Sequence, residues 1–346
     1  MNQKSLLIMD MDGVIIDVSG SYREVVRHTV QHYLRGFIGA ECVPADAVTP
    51  EDVSAIKKSG GLNNDWELTY TVLNTILNNY FDAENDRIVE SAVNLKAIND
   101  DRDLVSRGKS ILKSCDCSSL ARLGKVPLAD VYSEKGPVQK EDSPFLFNRG
   151  DVGSGNLVKR IFQELYLGPG LFKETYGDAP IFYKDRGYME RETLIPEKKQ
   201  LERLDLLCKL AIATGRPESE AHHSLMNFGI SRMFGAVVTE DDVVMEEARR
   251  KKTLRKPHPY VIESCIEKCR TDTTGDVYYL GDMPDDMTAA KRAGVVPIGY
   301  VYASLDMSEE ERKEHYDLLF QKGAREVFGR YEDLIGYIES LAVFSP

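Results

Sequence analysis

The chain has 346 residues, 42% of them apolar and 29% charged, with a formal net charge of −12. That length suits two domains with separate cores, and the acidic balance argues against broad binding to nucleic acid or anionic membranes. No stretch approaches a membrane span, and six cysteines scattered without a disulfide framework point to a reduced, cytoplasmic protein.

The first element is a short buried strand, Leu6-Leu7-Ile8-Met9, running into Asp10-Met11-Asp12-Gly13-Val14. The apolar run is too short for a signal segment, and Asp10 interrupts it. Strand alternation places Asp10 and Asp12 on one face. Carboxylates that close repel, so one tends to keep its proton. An ionised nucleophile beside a proton donor is a catalytic pair, although Asp-x-Asp also occurs in turns and calcium loops.

Tyr22, Val25, Val26, Thr29, Val30, Tyr33, Leu34 and Phe37 then form one apolar stripe at helical spacing. Thr49-Pro50-Glu51-Asp52 reads as an N-cap, a proline at the first helical position and an acidic first turn. That helix should stop at Gly60-Gly61, and another should begin near Asn64-Asp65. Residues 100–155 read as an irregular insertion. Within it, Cys115-x-Cys117 resembles half of a metal clip, with no second Cys or His pair. Gly150-Asp151-Val152-Gly153-Ser154-Gly155-Asn156 resembles a phosphate loop but lacks the Gly-Lys-Ser/Thr ending and a preceding strand. A helix over Asn156–Tyr166 ends near Gly168-Pro169-Gly170.

After Pro196 strands and helices alternate. Strands are expected within Leu206–Ala213 and over Phe234–Val238, Val277–Leu280 and Val296–Val301. Helices are expected over Pro217–Phe228, Pro259–Arg270, Asp286–Ala293 and Ser308–Lys322. His222 and His223 read as surface residues of the first of these, and Cys265 and Cys269 as small helix residues. The alternation calls for a three-layer α/β domain built on a doubly wound parallel sheet. The first strand must join it, so residues 1–18 and 197–346 form the core and 19–196 a mainly helical insertion.

Functional residues gather at the carboxyl ends of strands in such a sheet. Asp10 and Asp12 follow the first strand, Thr214-Gly215-Arg216-Pro217 the second, and Gly281-Asp282-Met283-Pro284-Asp285-Asp286 a later one. Lys256, in Arg255-Lys256-Pro257-His258-Pro259, precedes the helix before that last strand. Each piece alone has a plain reading as a turn, a helix cap or a solvated charged face; Asp285 reads either as a residue supporting the site from behind or as a helix N-cap.

Taken together, the four resemble the motifs of the haloacid dehalogenase superfamily, in its branch of phosphatases with a helical cap. Asp10-Met11-Asp12-Gly13-Val14 is similar to its first motif, Ile212-Ala213-Thr214-Gly215 to its second, Lys256-Pro257-His258-Pro259 to its third, and Gly281-Asp282-x-x-x-Asp286 to its fourth. The resemblance covers the core and implies a Rossmann-like fold with an inserted cap, here longer than usual. It implies that Asp10 attacks phosphorus to form an aspartyl-phosphate, while Asp12 protonates the leaving group and then activates water. Mg²⁺ would be held by Asp10, Asp282, Asp286 and the backbone carbonyl of Asp12. Thr214, the Gly215 amide and Arg216 would bind the phosphoryl group, and Lys256 would balance its charge.

Within the cap, Gly60 to Trp66, with Asn63, Asn64 and Asp65, reads either as a specificity loop or as an ordinary helix-capping loop. Arg23 reads as a contact for an anionic substrate tail or as a surface ion-pair residue. The expected activity is hydrolysis of a small phosphorylated metabolite, phosphoglycolate-like, phosphosugar or histidinol-phosphate-like, by a monomer or homodimer. A phosphomutase and a catalytically silent binding module on the same fold are the alternatives. A dehalogenase fits less well, since it needs neither Mg²⁺ nor a partner like Asp12.

Overall fold

The computed structural model describes residues 4–60, 65–81, 86–113, 115–135, 142–269, 276–302 and 307–343. The chain divides into two compact units, Met1–Val18 with Thr193–Pro346, and Ser19–Glu192.

The strands described are β1 (Ser5–Met9), β2 (Ile16–Asp17), β3 (Thr193–Leu194), β4 (Cys208–Ala213), β5 (Phe234–Val238), β6 (Val277–Gly281), β7 (Val296–Tyr300) and β8 (Glu326–Phe328), all in the first unit. Six form a parallel sheet in the order β5-β4-β1-β6-β7-β8, the doubly wound arrangement expected. β1 lies in the interior of the sheet and is apolar on both faces, as a strand covered on both sides must be. Leu7 and Met9 enter one hydrophobic layer, Leu6 and Ile8 the other.

The small ribbon of β2 and β3 pairs Ile16 with Leu194 and Asp17 with Thr193. This pairing keeps residues 193–196 with the sheet unit, whereas the alternating pattern alone placed the boundary after Pro196.

The second unit holds α1 (Tyr22–Gln31), α2 (Pro50–Gly60), α3 (Asp65–Tyr80), α4 (Asp86–Leu95), α5 (Asp101–Leu112), α6 (Leu128–Lys135) and α7 (Leu157–Tyr176). Its apolar stripe runs through α1 and a following π-helical segment, His32–Ile38. The start of α2 is capped reciprocally: the Asp52 amide donates to Thr49 Oγ1 and the Thr49 amide to Asp52 Oδ2, both at 3.1 Å.

Residues 100–155 hold α5 and α6 within otherwise irregular chain, and Asp100 caps α5 through the Asp103 amide at 2.7 Å. The first helical stretch of α7 ends at Gly168, as expected. The chain kinks there, at φ 69° and ψ 172°, and Pro169 opens a second helical stretch to Tyr176.

A buried ion cluster ties this unit together. Arg160, fully buried, pairs with Asp101 at 3.1 Å, Glu164 at 2.8 Å and Asp178 at 2.8 Å. Glu164 also accepts the amides of Ile181, Phe182 and Tyr183. Asp101 accepts the amides of Gly153 and Gly155, both at 2.7 Å. The glycine-rich loop therefore holds an anion, and that anion is a side chain of the same unit.

Around the sheet lie α8 (Lys198–Leu207), α9 (Glu218–Asn227), α10 (Glu240–Arg250), α11 (Tyr260–Cys269), α12 (Pro284–Arg292), α13 (Glu309–Lys322) and α14 (Tyr331–Val343). α8, α9 and α14 cover one face; α11 and α12 cover the other. α8 closes with Leu206, which is exposed, and Leu207, and β4 follows within the expected range Leu206–Ala213. Cys265 and Cys269 are buried on α11, and His222 and His223 are exposed on α9. No helix among the described residues is long and apolar enough to cross a membrane.

Candidate active site

β1 ends at Met9, so residues 10–13 form a turn rather than a strand extension. The Ile15 and Ile16 amides bond back to the Met11 carbonyl, and the Gly13 amide to that of Ile16. The directions of Asp10 and Asp12 are thus set by this turn and not by the pleat. Gly13 adopts φ 74°, and a Cβ there would collide with the Asp282 carboxylate. Glycine is what lets the first and fourth motifs touch.

Asp10 leaves the end of β1 beside β6, its amide donating to the Leu280 carbonyl at 2.8 Å. Lys256 Nζ reaches Asp10 Oδ2 at 3.2 Å, Asp286 Oδ1 at 2.9 Å and the Ala213 carbonyl at 3.2 Å. Asp286 is buried; Oδ1 accepts the Tyr279 hydroxyl at 3.1 Å and Oδ2 the Met283 amide at 2.9 Å. Carboxylate oxygens of Asp10, Asp282 and Asp286 lie within 4.8 Å of one another. All-oxygen donors of this kind suit Mg²⁺.

The fourth motif is therefore resolved in favour of Asp286 at the cluster. Asp285, read as a helix N-cap, is not one: Met283 takes the N-cap position, with Pro284 opening the helix.

The electrostatics follow from the packing. Burial raises Asp10, Lys256 pulls it back, and Asp286 and Asp12 push it up again, leaving its carboxyl at about 7. Burial opposes the Lys256 charge, but Asp10 and Asp286 outweigh it and hold the ammonium above the ordinary lysine range. The Tyr279 hydroxyl is held well above its usual range by burial and the nearby carboxylates of Asp286 and Asp10.

Thr214, directly after β4, is buried, and its Oγ1 accepts the Arg216 amide at 3.1 Å. A Cβ built on Gly215 would meet no protein atom within 4 Å. Arg216 departs from the expected phosphate contact. Its buried guanidinium reaches Asp12 Oδ1 through Nε at 2.7 Å and Nη2 at 2.5 Å, and Ser224 Oγ through Nη1 at 3.0 Å.

Asp10, Asp12, Thr214, Gly215, Arg216, Lys256, Asp282 and Asp286 all belong to the sheet unit, at or near strand carboxyl ends. Arg23 and Asp65 belong to the helical unit. Arg23 is half-buried on α1, and Asp65 pairs with Lys57 at 3.0 Å. Asn63 and Asn64 lie outside the described residues.

Two partners were not anticipated. Tyr279 sits seven residues before Asp286, on an apolar strand where its hydroxyl gave no sign of a polar role. His315, on α13, places Nε2 2.6 Å from the Asp282 carbonyl, and nothing in its local sequence marks it. The basic stretch before Lys256 is what its plain reading suggested: Arg249 and Arg250 pair with Glu246, and Arg255 with Glu240 and Glu247.

Residues 192–300 match the family model described as haloacid dehalogenase-like hydrolase. An imidazoleglycerol-phosphate dehydratase from Phytophthora nicotianae is 37% identical over 67 residues; the match covers 19% of this chain and 12% of that protein. The X-ray structure of a structural-genomics target resembles the chain with a TM-score of 0.64 at 19% identity, covering 98% of this chain and 99% of that one. A phosphatase from Thermococcus thioreducens does so with a TM-score of 0.50 at 18% identity, covering 90% of this chain and 98% of that one. Likenesses at this identity bear on the fold.

Proposed function

From the match of residues 192–300 to the model of haloacid dehalogenase-like hydrolases, we propose that the chain is a Mg²⁺-dependent phosphatase of that superfamily, one that hydrolyses a small phosphorylated metabolite through an aspartyl-phosphate. The observation that carries this reading is the meeting of Asp10, Asp282, Asp286 and Lys256 at the carboxyl ends of β1 and β6. Four carboxylates, including Asp12, face two fixed cations, Lys256 and Arg216. A phosphate dianion would be repelled unless a further cation were held there. Asp10, Asp282 and Asp286, with the Asp12 carbonyl, would hold Mg²⁺, which supplies the charge that lets the phosphoryl group approach.

Asp10, hydrogen-bonded through Oδ1 to the Met11 amide at 2.8 Å, is the nucleophile. Lys256 favours its ionised form and offers positive charge to the phosphoryl oxygens. Asp12 gives its proton to the leaving oxygen, then takes one from the water that cleaves the acyl phosphate. The Gly215 amide and Thr214 line the phosphoryl position. The helical unit is the cap that selects the substrate, with Arg23 and the 60–66 segment as its reading elements.

The substrate class remains small phosphate monoesters: phosphoglycolate-like, phosphosugar or histidinol-phosphate-like. The name of the locally similar dehydratase contains a phosphorylated imidazole compound, which supports keeping the last of these on the panel. The test is a panel of such esters with and without Mg²⁺, following released phosphate. Metal-dependent turnover of one or a few esters is expected. No release from any ester, or release unaffected by chelation, would overturn the proposal, and phosphate moved within the substrate rather than released would mark a mutase.

A further inference from the structure

Arg216 was expected at the phosphoryl group, and its surroundings give it a different task. The guanidinium is 1% exposed, and all three of its nitrogens have side-chain partners: Nε and Nη2 on Asp12 Oδ1, and Nη1 on Ser224 Oγ. Its main chain is held as well. The amide donates to Thr214 Oγ1 at 3.1 Å, and the carbonyl accepts the Glu240 amide at 2.9 Å. A planar, buried, always-charged group tied on every side does not swing out to meet a ligand. Asp12, by contrast, keeps a third of its side chain exposed.

Both guanidinium bonds fall on the same oxygen of Asp12. An oxygen already facing two N–H donors cannot also carry a proton toward a third partner without losing them. We propose that Arg216 is a positioning residue. By occupying Oδ1 it fixes the plane of the Asp12 carboxyl group and leaves Oδ2 as the oxygen that carries the proton in phosphoryl transfer. The inference rests on the phosphatase reading above. In the first step the bond from phosphorus to the ester oxygen breaks, and its electron pair stays on that oxygen. The proton on Asp12 Oδ2 passes to it while Asp10 bonds to phosphorus. In the second step the water oxygen bonds to phosphorus as the bond from phosphorus to Asp10 breaks, its electron pair returning to the Asp10 carboxylate, and Oδ2 takes the proton the water gives up.

The test compares an ester that needs a proton on departure with one that does not. Wild type, R216M, R216K, D12N and R216M/D12N are assayed with an alkyl phosphate and with p-nitrophenyl phosphate, whose leaving group departs readily as an anion. R216M is expected to lower kcat for the alkyl ester by about 100-fold and for the nitrophenyl ester by less than about tenfold, with KM nearly unchanged. D12N should show the same bias, the double variant should lose little more than D12N, and R216K should recover part of the alkyl-ester rate.

Equal losses on both esters, or a raised KM with kcat retained, would make Arg216 a phosphate-binding or merely structural residue and overturn the proposal. Should R216M not fold, R216K carries the same comparison: a loss blind to the leaving group refutes the proposal, a biased one supports it. A wild-type protein inert toward every ester ends the phosphatase reading, and this inference with it. An active wild type with an unbiased R216K ends the inference alone.

Discussion

Asp10→Asn separates what the nucleophile does for chemistry from what it costs the fold. The Asp10 carboxyl is held at about 7, against 3.8 when unperturbed, with burial as the largest cause. A carboxyl whose folded pKa is raised binds its proton more tightly in the native state. The stability this gives is complete below the unfolded value, near 3.8, and is lost as pH rises through about 7. At about 1.4 kcal/mol for each pH unit between the two values, the loss above neutrality is about 4 kcal/mol. Asparagine keeps the shape and has no charge to desolvate.

In Mg²⁺-free buffer the variant should therefore match wild type near pH 4 and exceed it at pH 8. At about 2–4 °C per kcal/mol, the gain in Tm at pH 8 is on the order of 10 °C. Adding Mg²⁺ should raise the wild-type Tm and close much of the gap, while turnover by the variant stays abolished. The assay is thermal unfolding followed by near-ultraviolet circular dichroism across pH 4–8, with and without Mg²⁺. A variant less stable than wild type at pH 8, or a difference that does not change with pH, would refute the assignment of a strained nucleophile. Turnover near the wild-type rate would refute its role in catalysis.

Two further outcomes are expected. Gly215→Ala should leave Tm unchanged, because the added methyl meets no protein atom within 4 Å, yet lower activity by crowding whatever binds against that backbone; phosphate release and thermal unfolding measured together check both halves. Arg160→Met should destabilise the helical unit by about 3–5 kcal/mol, since it strands the buried carboxylates of Asp101 and Glu164; urea unfolding reads this as a lower midpoint, and an unchanged midpoint would show the cluster to be dispensable.

The sheet was legible because its strands are short apolar runs ending in functional residues, with glycine and proline marking the turns. The pattern alone assigns Thr214 and Asp282 to strand ends and Lys256 to the start of the helix before β6. β8 escaped because Glu326–Phe328 is three residues long, too short for a period to register. Within the span 100–155, α5 escaped because it carries Gly108 and many charges, which weaken a helical pattern, while burial of Asp101 under Arg160 stabilises it from a distance. The same limit hid the partnership of Arg216 and Asp12, which are 204 positions apart in the chain. Residue types gave the chemistry of the site, and long-range packing decided which charge faces which.

The insertion also has a consequence for how the chain is made. β1 emerges first, yet its neighbours in the sheet, β4 and β6, begin at Cys208 and Val277. At about 5–20 residues per second, the run Leu6 to Met9 waits roughly 10–40 s for β4 to be translated. Closing so long a loop through an unstructured chain is entropically costly and slow. The helical unit has a core of its own and can fold during that wait. Its two ends are joined near the boundary, where Glu192 accepts the Ser21 hydroxyl at 3.1 Å and the Tyr166 hydroxyl at 2.8 Å. Once those bonds form, the loop of nearly two hundred residues becomes a short tether, and the central strand is delivered to its neighbours as though they were close in sequence. Buried Glu192 thus links the two ends of the insertion, and its loss is expected to lower refolding yield before it lowers turnover.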